Sequence, residues 1–184
     1  GHSKVMIEQI LSDICNVNKN FGCVMLRYFN PIGAHESGLI GENPKGIPNN
    51  LMPYICNVAI GKSQFLNVFG DDYNTKDGTG VRDYVHVVDL AVGHVLALDY
   101  VFKNKGEMAI NLGTGKGTSV LELVKVFEEV SGKKINIKIC GRREGDIDEF
   151  YADINKAQEI LGWTSKYNLH DMCKDSWNFI KSKI

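Results

Sequence analysis

Fourteen residues, Gly78 to Ala91, constrain this chain more than any other stretch. The run Gly-Thr-Gly-Val-Arg-Asp-Tyr-Val-His-Val-Val-Asp-Leu-Ala packs a glycine-rich turn, a β-prone segment carrying Arg82 and a helix start. Val81, Val85, Val87 and Val88 favour a strand, and Asp89 is placed to cap a helix from Leu90 to about Phe102. An arginine leaving a glycine-rich turn can reach a phosphate with two parallel N–H donors. Taken alone, an Arg82–Asp83 pair at a strand edge is more often structural, so the other segments must decide.

Those segments alternate between helix and strand. Lys4 to Cys15 has apolar residues on more than one face, which predicts a helix that is buried or sits at an interface. Val24 to Phe29 is too apolar for a strand with a solvated face and fits a parallel sheet covered on both sides. All four prolines (Pro31, Pro44, Pro48, Pro53) then crowd together with several glycines, and the irregular segment Asn30 to Ile47 is the first site candidate. Pro48 suits the first turn of a helix that carries Leu51, Tyr54, Ile55 and Val58 and ends at Gly61.

Short strands follow at Phe65 to Phe69 and Met108 to Leu112. The run Gly113-Thr114-Gly115-Lys116-Gly117 looks like a phosphate loop but fits no phosphate-loop spacing. Ser119 and Glu122 form a capping box that explains it locally, opening a helix to Val130 closed by Gly132. Ile135, Ile137 and Ile139 alternate with polar residues as in a half-buried strand. Helices over about Asn155 to Leu161 and Leu169 to Ile184 complete an α/β or α+β pattern.

Composition excludes several functions. With 184 residues, 43% hydrophobic and a net charge of -1, the chain has a real core and lacks the basic footprint of a nucleic-acid binder. No apolar run is long enough to span a bilayer and no signal-peptide pattern opens the chain, so no membrane partner is expected. Five widely spaced cysteines without a Cys-x-x-Cys pair argue against zinc or a disulfide framework, and for reduced thiols in the cytoplasm. No metal site is expected; the three aspartates between Gly70 and Gly80 lack the spacing of a Ca²⁺ loop.

Three polar groups remain to be explained together: Asn30 with Asn49-Asn50, Arg82, and Arg142-Arg143 with Asp146. Two arginines beside glycine-rich turns can grip a diphosphate, asparagines suit neutral hydroxyls, and a carboxylate can take a ribose hydroxyl pair. A nucleotide-sugar fits that inventory better than nucleic acid or a free sugar.

The motifs Arg27-Tyr28-Phe29-Asn30-Pro31-Ile32-Gly33-Ala34-His35, Asn49-Asn50-Leu51-Met52-Pro53-Tyr54, Phe69-Gly70-Asp71-Asp72-Tyr73, the Asp77 to Ala91 block and Arg142-Arg143-Glu144-Gly145-Asp146 resemble the NAD-dependent UDP-glucose 4-epimerases. The match runs in order over nearly the whole chain. The resemblance implies an α/β fold made of the last helix and strand of a Rossmann domain (residues 1–30) followed by the smaller mixed α/β UDP-sugar-binding domain of an extended short-chain dehydrogenase (residues 31–184). It places the lysine of a Tyr-x-x-x-Lys motif at Lys4, and the tyrosine just before Gly1. The chain then looks like the C-terminal half of an epimerase, inactive alone, whose intact form binds NAD and is a homodimer.

It further implies that Lys4 and Tyr28 border the nicotinamide end of NAD. Phe29, Asn30, Asn49, Asn50, Leu51, Asn67 and Phe69 should line the UDP-sugar site, with Phe69 packing on uracil. Arg82 and Arg143 should clamp the diphosphate and Asp146 the ribose. Phe150 should fill the space beside the sugar's C2, excluding N-acetylated sugars, unless it turns into the core. Two other readings stay open at this point: a nucleotide-sugar dehydratase or decarboxylase of the same superfamily, and a non-catalytic nucleotide-sugar-binding protein.

Overall fold

A computed structural model describes residues 1–46 and 48–183. The Ile47 end of the irregular segment and the Ile184 end of the last helix lie outside the described residues. Helix α1 (His2–Val17) leads into strand β1 (Gly22–Tyr28) and the short β2 (Asn30–Ile32). Helix α2 (Leu51–Ala59) and strand β3 (Leu66–Phe69) come next. The constraining stretch forms β4 (Val81–Arg82), β5 (Tyr84–His86) and α3 (Val87–Lys103). Then follow β6 (Gly106–Leu112), β7 (Thr118–Ser119), α4 (Val120–Ser131), β8 (Ile137–Cys140), β9 (Glu149–Phe150), α5 (Asn155–Leu161) and α6 (Leu169–Lys181). The class is mixed α/β, as expected.

Small sheets replace one large one. β1 pairs in parallel with β6 from Gly22↔Gly106 to Tyr28↔Leu112, β2 with β5, and β3 with β8. β4 lies between β7, antiparallel, and β9, parallel. Two apolar clusters follow from this pairing. One gathers Ile55 of α2, Leu66 of β3, Leu123 and Phe127 of α4 and Cys173 of α6. The other joins Val85, Leu90 and Ala97 to Ile110 and Leu112 of β6, then to Ala157 of α5 and Trp163, with Val24 and Leu26 of β1 against it.

Several expectations need correction. Asp89 does not cap α3: the cap is His86, whose Nδ1 accepts the Val88 N–H at 3.1 Å, and the helix begins three residues earlier than expected. The Asp89 carboxylate, buried, instead accepts the Lys166 and Tyr167 N–H groups at 2.9 and 3.0 Å. Tertiary need outranks local capping here. Pro48 lies outside α2, whose N-cap is Asn50; the proline inside the first turn is Pro53, where no intrahelical N–H is required. Ile137 and Ile139 are 41% and 42% exposed, so β8 is not the half-buried strand its alternation predicts; only Ile135, before it, is buried. Ser119 caps α4 by accepting the Glu122 N–H at 3.0 Å, the first half of the expected capping box without the return bond from the Ser119 N–H to the Glu122 carboxylate among the described residues, and Gly132 closes the helix in the left-handed conformation.

The Gly113–Gly117 loop does bind an anion, but an internal one. The fully buried Asp83 carboxylate accepts N–H groups from Thr114, Gly115 and Ala152 and the Thr114 hydroxyl, at 2.6 to 3.1 Å. A Cβ on Gly113 would sit 2.5 Å from that carboxylate, so this approach requires glycine. Asp83 also donates its N–H to the Phe150 carbonyl and its carbonyl accepts the Asn30 N–H. One residue thereby ties β2, β9 and the glycine loop to the strand edge that carries Arg82.

Candidate functional site

A cleft of about 700 Å³ opens where these ties converge, within the range of small-molecule sites. Its walls come from five separated stretches. Asn30 starts β2, Asn49, Asn50 and Leu51 enter α2, Asn67 and Phe69 belong to β3, and Arg82 belongs to β4. Arg143 and Asp146 come from the irregular segment between β8 and β9. Nine residues expected from sequence thus share one cavity, although they span more than a hundred positions.

The polar groups are already organised. Arg82 donates from Nη1 to the carbonyls of Val81 and Ile147, at 2.8 and 2.9 Å, and pairs through Nη2 with Asp146 at 3.4 Å. Two carbonyls therefore fix the guanidinium plane and leave Nε and one Nη2 proton without a partner among the described contacts. Arg143 lies over the Phe69 ring, its Cζ 3.9 Å from the centroid. One face of Phe69 is thus covered by a cation rather than open for a base. Asn50 donates to Glu42 at 2.7 Å, which anchors the irregular segment to the start of α2.

Four expected residues stand outside the cleft lining. Lys4 is exposed near the start of α1. Tyr28 is 52% exposed at the C-terminal end of β1, its ring 5.7 Å from that of His94. Phe29 and Phe150 stack on one another with centroids 4.8 Å apart, and Phe150 is in register with Arg82. Phe150 is 52% exposed, so it does not turn into the core.

Sequence reasoning missed other lining residues, notably Tyr73 and Tyr84. Both stood inside the motifs Phe-Gly-Asp-Asp-Tyr and Arg-Asp-Tyr, which was the available signal. Burial pushes the Tyr84 phenol well up, with Arg82 opposing, so it stays neutral and serves as a wall. Tyr73 is buried and its hydroxyl has no hydrogen-bond partner among the described residues. The five cysteines are free thiols; burial pushes those of Cys56 and Cys173 up to about 12, which removes them as nucleophiles at neutral pH. Among the described residues no cluster of His, Cys, Asp and Glu could hold a metal, and no helix is long and apolar enough to cross a membrane.

The sequence model of the GDP-mannose 4,6 dehydratase family matches residues 1–176. The chain is 56% identical over 184 residues to a UDP-glucose 4-epimerase of Bacillus subtilis, covering 100% of this chain and 54% of that protein. It is 56% identical over 181 residues to the Homo sapiens UDP-glucose 4-epimerase, covering 98% of this chain and 52% of that protein. The chain therefore spans about half the length of these relatives. A crystal structure of UDP-glucose 4-epimerase from Bifidobacterium longum, in complex with NAD+ and UDP, is 51% identical with a TM-score of 0.94, over 98% of this chain and 54% of that one. One from Stenotrophomonas maltophila, with NAD and formylated UDP-arabinopyranose, is 48% identical with a TM-score of 0.96, over 99% and 54%. This chain belongs to the extended short-chain dehydrogenases that the GDP-mannose 4,6 dehydratase model describes, and the relatives it resembles among them are UDP-glucose 4-epimerases.

Proposed function

We propose that the chain is the UDP-sugar-binding part of a UDP-glucose 4-epimerase, which interconverts UDP-galactose and UDP-glucose through a 4-keto intermediate. The observation that carries this reading is the single cleft shared by Asn30, Asn67, Phe69, Arg82, Arg143 and Asp146. Arg82, its plane held by two carbonyls, takes phosphate oxygens with its remaining N–H groups and pays little ordering cost when it does. Arg143 supplies the second positive charge for the diphosphate. Asp146 exchanges its Arg82 pairing for the ribose hydroxyls, and the asparagine amides face the sugar's neutral hydroxyls.

NAD would supply the hydride acceptor at the sugar's C4. The residues present fit the rim of such a site: Tyr28 is exposed at the C-terminal end of a parallel strand, where ligands of α/β sheets bind. In this reading Lys4 holds the nicotinamide ribose, and its charge lowers the pKa of a motif tyrosine that precedes Gly1 in the whole protein. We also infer that residues 1–30 complete a dinucleotide-binding domain, with residues 31–184 as the UDP-sugar domain. The whole protein acts in the cytoplasm as a homodimer, paired through the apolar face of α1, and these 184 residues alone turn nothing over. Phe150, exposed and braced on Phe29, keeps N-acetylated sugars out.

The test is calorimetric titration of the intact enzyme with UDP, with turnover of UDP-galactose and UDP-N-acetylgalactosamine measured beside it. Arg82→Ala and Arg143→Ala should each weaken UDP binding by roughly 2 kcal/mol, the cost of a charge-assisted contact. Unchanged affinity in both variants would remove the diphosphate assignment, and equal turnover of both sugars would remove the role of Phe150.

A further inference from the structure

The segment between β8 and β9 brings Arg143 and Asp146 to the cleft without belonging to any helix or strand. Backbone bonds hold its two ends: Gly70 N–H to the Cys140 carbonyl and Val81 N–H to the Asp148 carbonyl, both 2.8 Å. Between them the chain makes one turn, from the Asp146 N–H to the Arg143 carbonyl at 3.3 Å. Its placement over the cleft therefore depends on side chains.

Arg82 holds the segment near its end through the Ile147 carbonyl and Asp146, and two consecutive arginines hold its start. Arg143 lies over Phe69 and Arg142 over Tyr73, the latter with Cζ 4.2 Å from the ring centroid. Arg142 is also forked: Nε donates to Asp72 Oδ1 at 2.7 Å and Nη2 to the Asp72 carbonyl. Asp148, at the far end of the segment, approaches Arg142 Nη1 at 3.9 Å and accepts the Asn74 N–H at 3.2 Å. The turn carrying Asp72, Tyr73 and Asn74 is thus gripped at both ends of the strap. Gly70 allows this closeness: a Cβ there would sit 3.0 Å from Arg142 Cγ and would overlap the Tyr73 ring.

The two stacks are not equivalent once a nucleotide binds. In the reading proposed above, Arg143 turns to the diphosphate and Phe69 to the base, which releases the first stack. The Arg142 clamp is then the arginine–aromatic tie that remains. We propose that Arg142, forked onto Asp72 and stacked on Tyr73, is a positioning residue that sets Arg143 and Asp146 for the nucleotide without touching it. This inference rests on the UDP-sugar reading of the cleft.

Arg142 is 43% exposed and Asp72 71%, so as a surface pair they contribute little to the stability of the fold. That separates positioning from scaffolding. Arg142→Ala in the intact enzyme should raise the Kd for UDP and the KM for UDP-galactose about five- to ten-fold, the cost of ordering a strap that is no longer held in place. The loss should fall on KM rather than kcat, with Tm moved by less than about 2 °C. Arg142→Lys should recover little of it, because an ammonium can neither fork between carboxylate and carbonyl nor lie flat on a ring. Asp72→Ala should weaken binding in the same direction, and the double variant should be no worse than Arg142→Ala, since both remove one clamp. Wild-type affinity in Arg142→Ala, full rescue by lysine, or a loss matched by a large fall in Tm overturns the positioning role while leaving the cleft assignment intact. Failure of the wild type itself to bind UDP overturns both.

Discussion

Helices α1 and α4 carry the same kind of pattern, apolar side chains at helical spacing, and meet opposite environments. On α4, Leu123 and Phe127 are completely buried, the latter edge-on to Trp177 at 6.0 Å. On α1, Met6 and Ile10 are 65% and 57% exposed, and only Cys15 is buried. The outer side of α3 resembles α1, with Val95, Leu98 and Phe102 exposed. The difference lies in partners. The α4 face meets α2, β3 and α6 of the same chain, while α1 is fixed to β1 by polar links such as Glu8 to Arg27 and packs only its inner side on β1 and β6. Amphipathicity specifies that a face wants cover; it does not say whether the same chain supplies it.

The sharpest break of that comparison is Phe127→Ala. Emptying a closed core should cost about 3–5 kcal/mol in urea unfolding. A loss under about 1 kcal/mol would show that the α4 core is no better sealed than α1.

Asp83→Asn comes next, because this residue joins the two regions. An amide group in place of the carboxylate turns donors toward the N–H groups of Thr114, Gly115 and Ala152. A loss of about 3 kcal/mol is expected, with UDP affinity falling as the Arg82 edge loosens. Full stability in the variant would mean the glycine loop holds itself.

Tyr73→Phe should act in the opposite sense. Its buried hydroxyl has no partner among the described residues, so removing it should stabilise the fold by about 1 kcal/mol, read as a higher denaturation midpoint. Destabilisation would reveal a partner for that hydroxyl.

Ile10→Ser should change folding free energy least, by no more than about 0.5 kcal/mol, while reducing self-association in sedimentation velocity. Destabilisation of about 2 kcal/mol would place the α1 face inside the chain's own core and erase the contrast.

Local signals made much of the fold legible. The Asn155–Leu161 helix, the cap at Ser119 and the end at Gly132 are decided by residues within a turn of one another, and the structure keeps them. Expectation and structure parted where a residue serves a distant neighbour. Asp89 has the chemistry of a cap but spends it on residues 166 and 167, so His86 takes over the cap. Ile137 and Ile139 alternate correctly, yet β8 is paired on one edge by β3 alone and neither side chain is covered.

The motifs likewise named the cleft's chemistry before its shape was known. Asparagines, two arginines and an aspartate beside flexible turns define what a ligand must offer, because donor and acceptor types are properties of side chains. Their convergence is different. It depends on Asp83 drawing three backbone segments together and on Arg142 fastening a strap to a turn seventy residues away in sequence. Such contacts form because a buried charge must find donors and a forked guanidinium must find a matching edge, and neither partner is marked by local pattern. The sequence by itself determined the elements, the family and the inventory of the site; only the tertiary structure decided which residues hold that inventory in place, since long-range polar matching is settled by packing and not by periodicity.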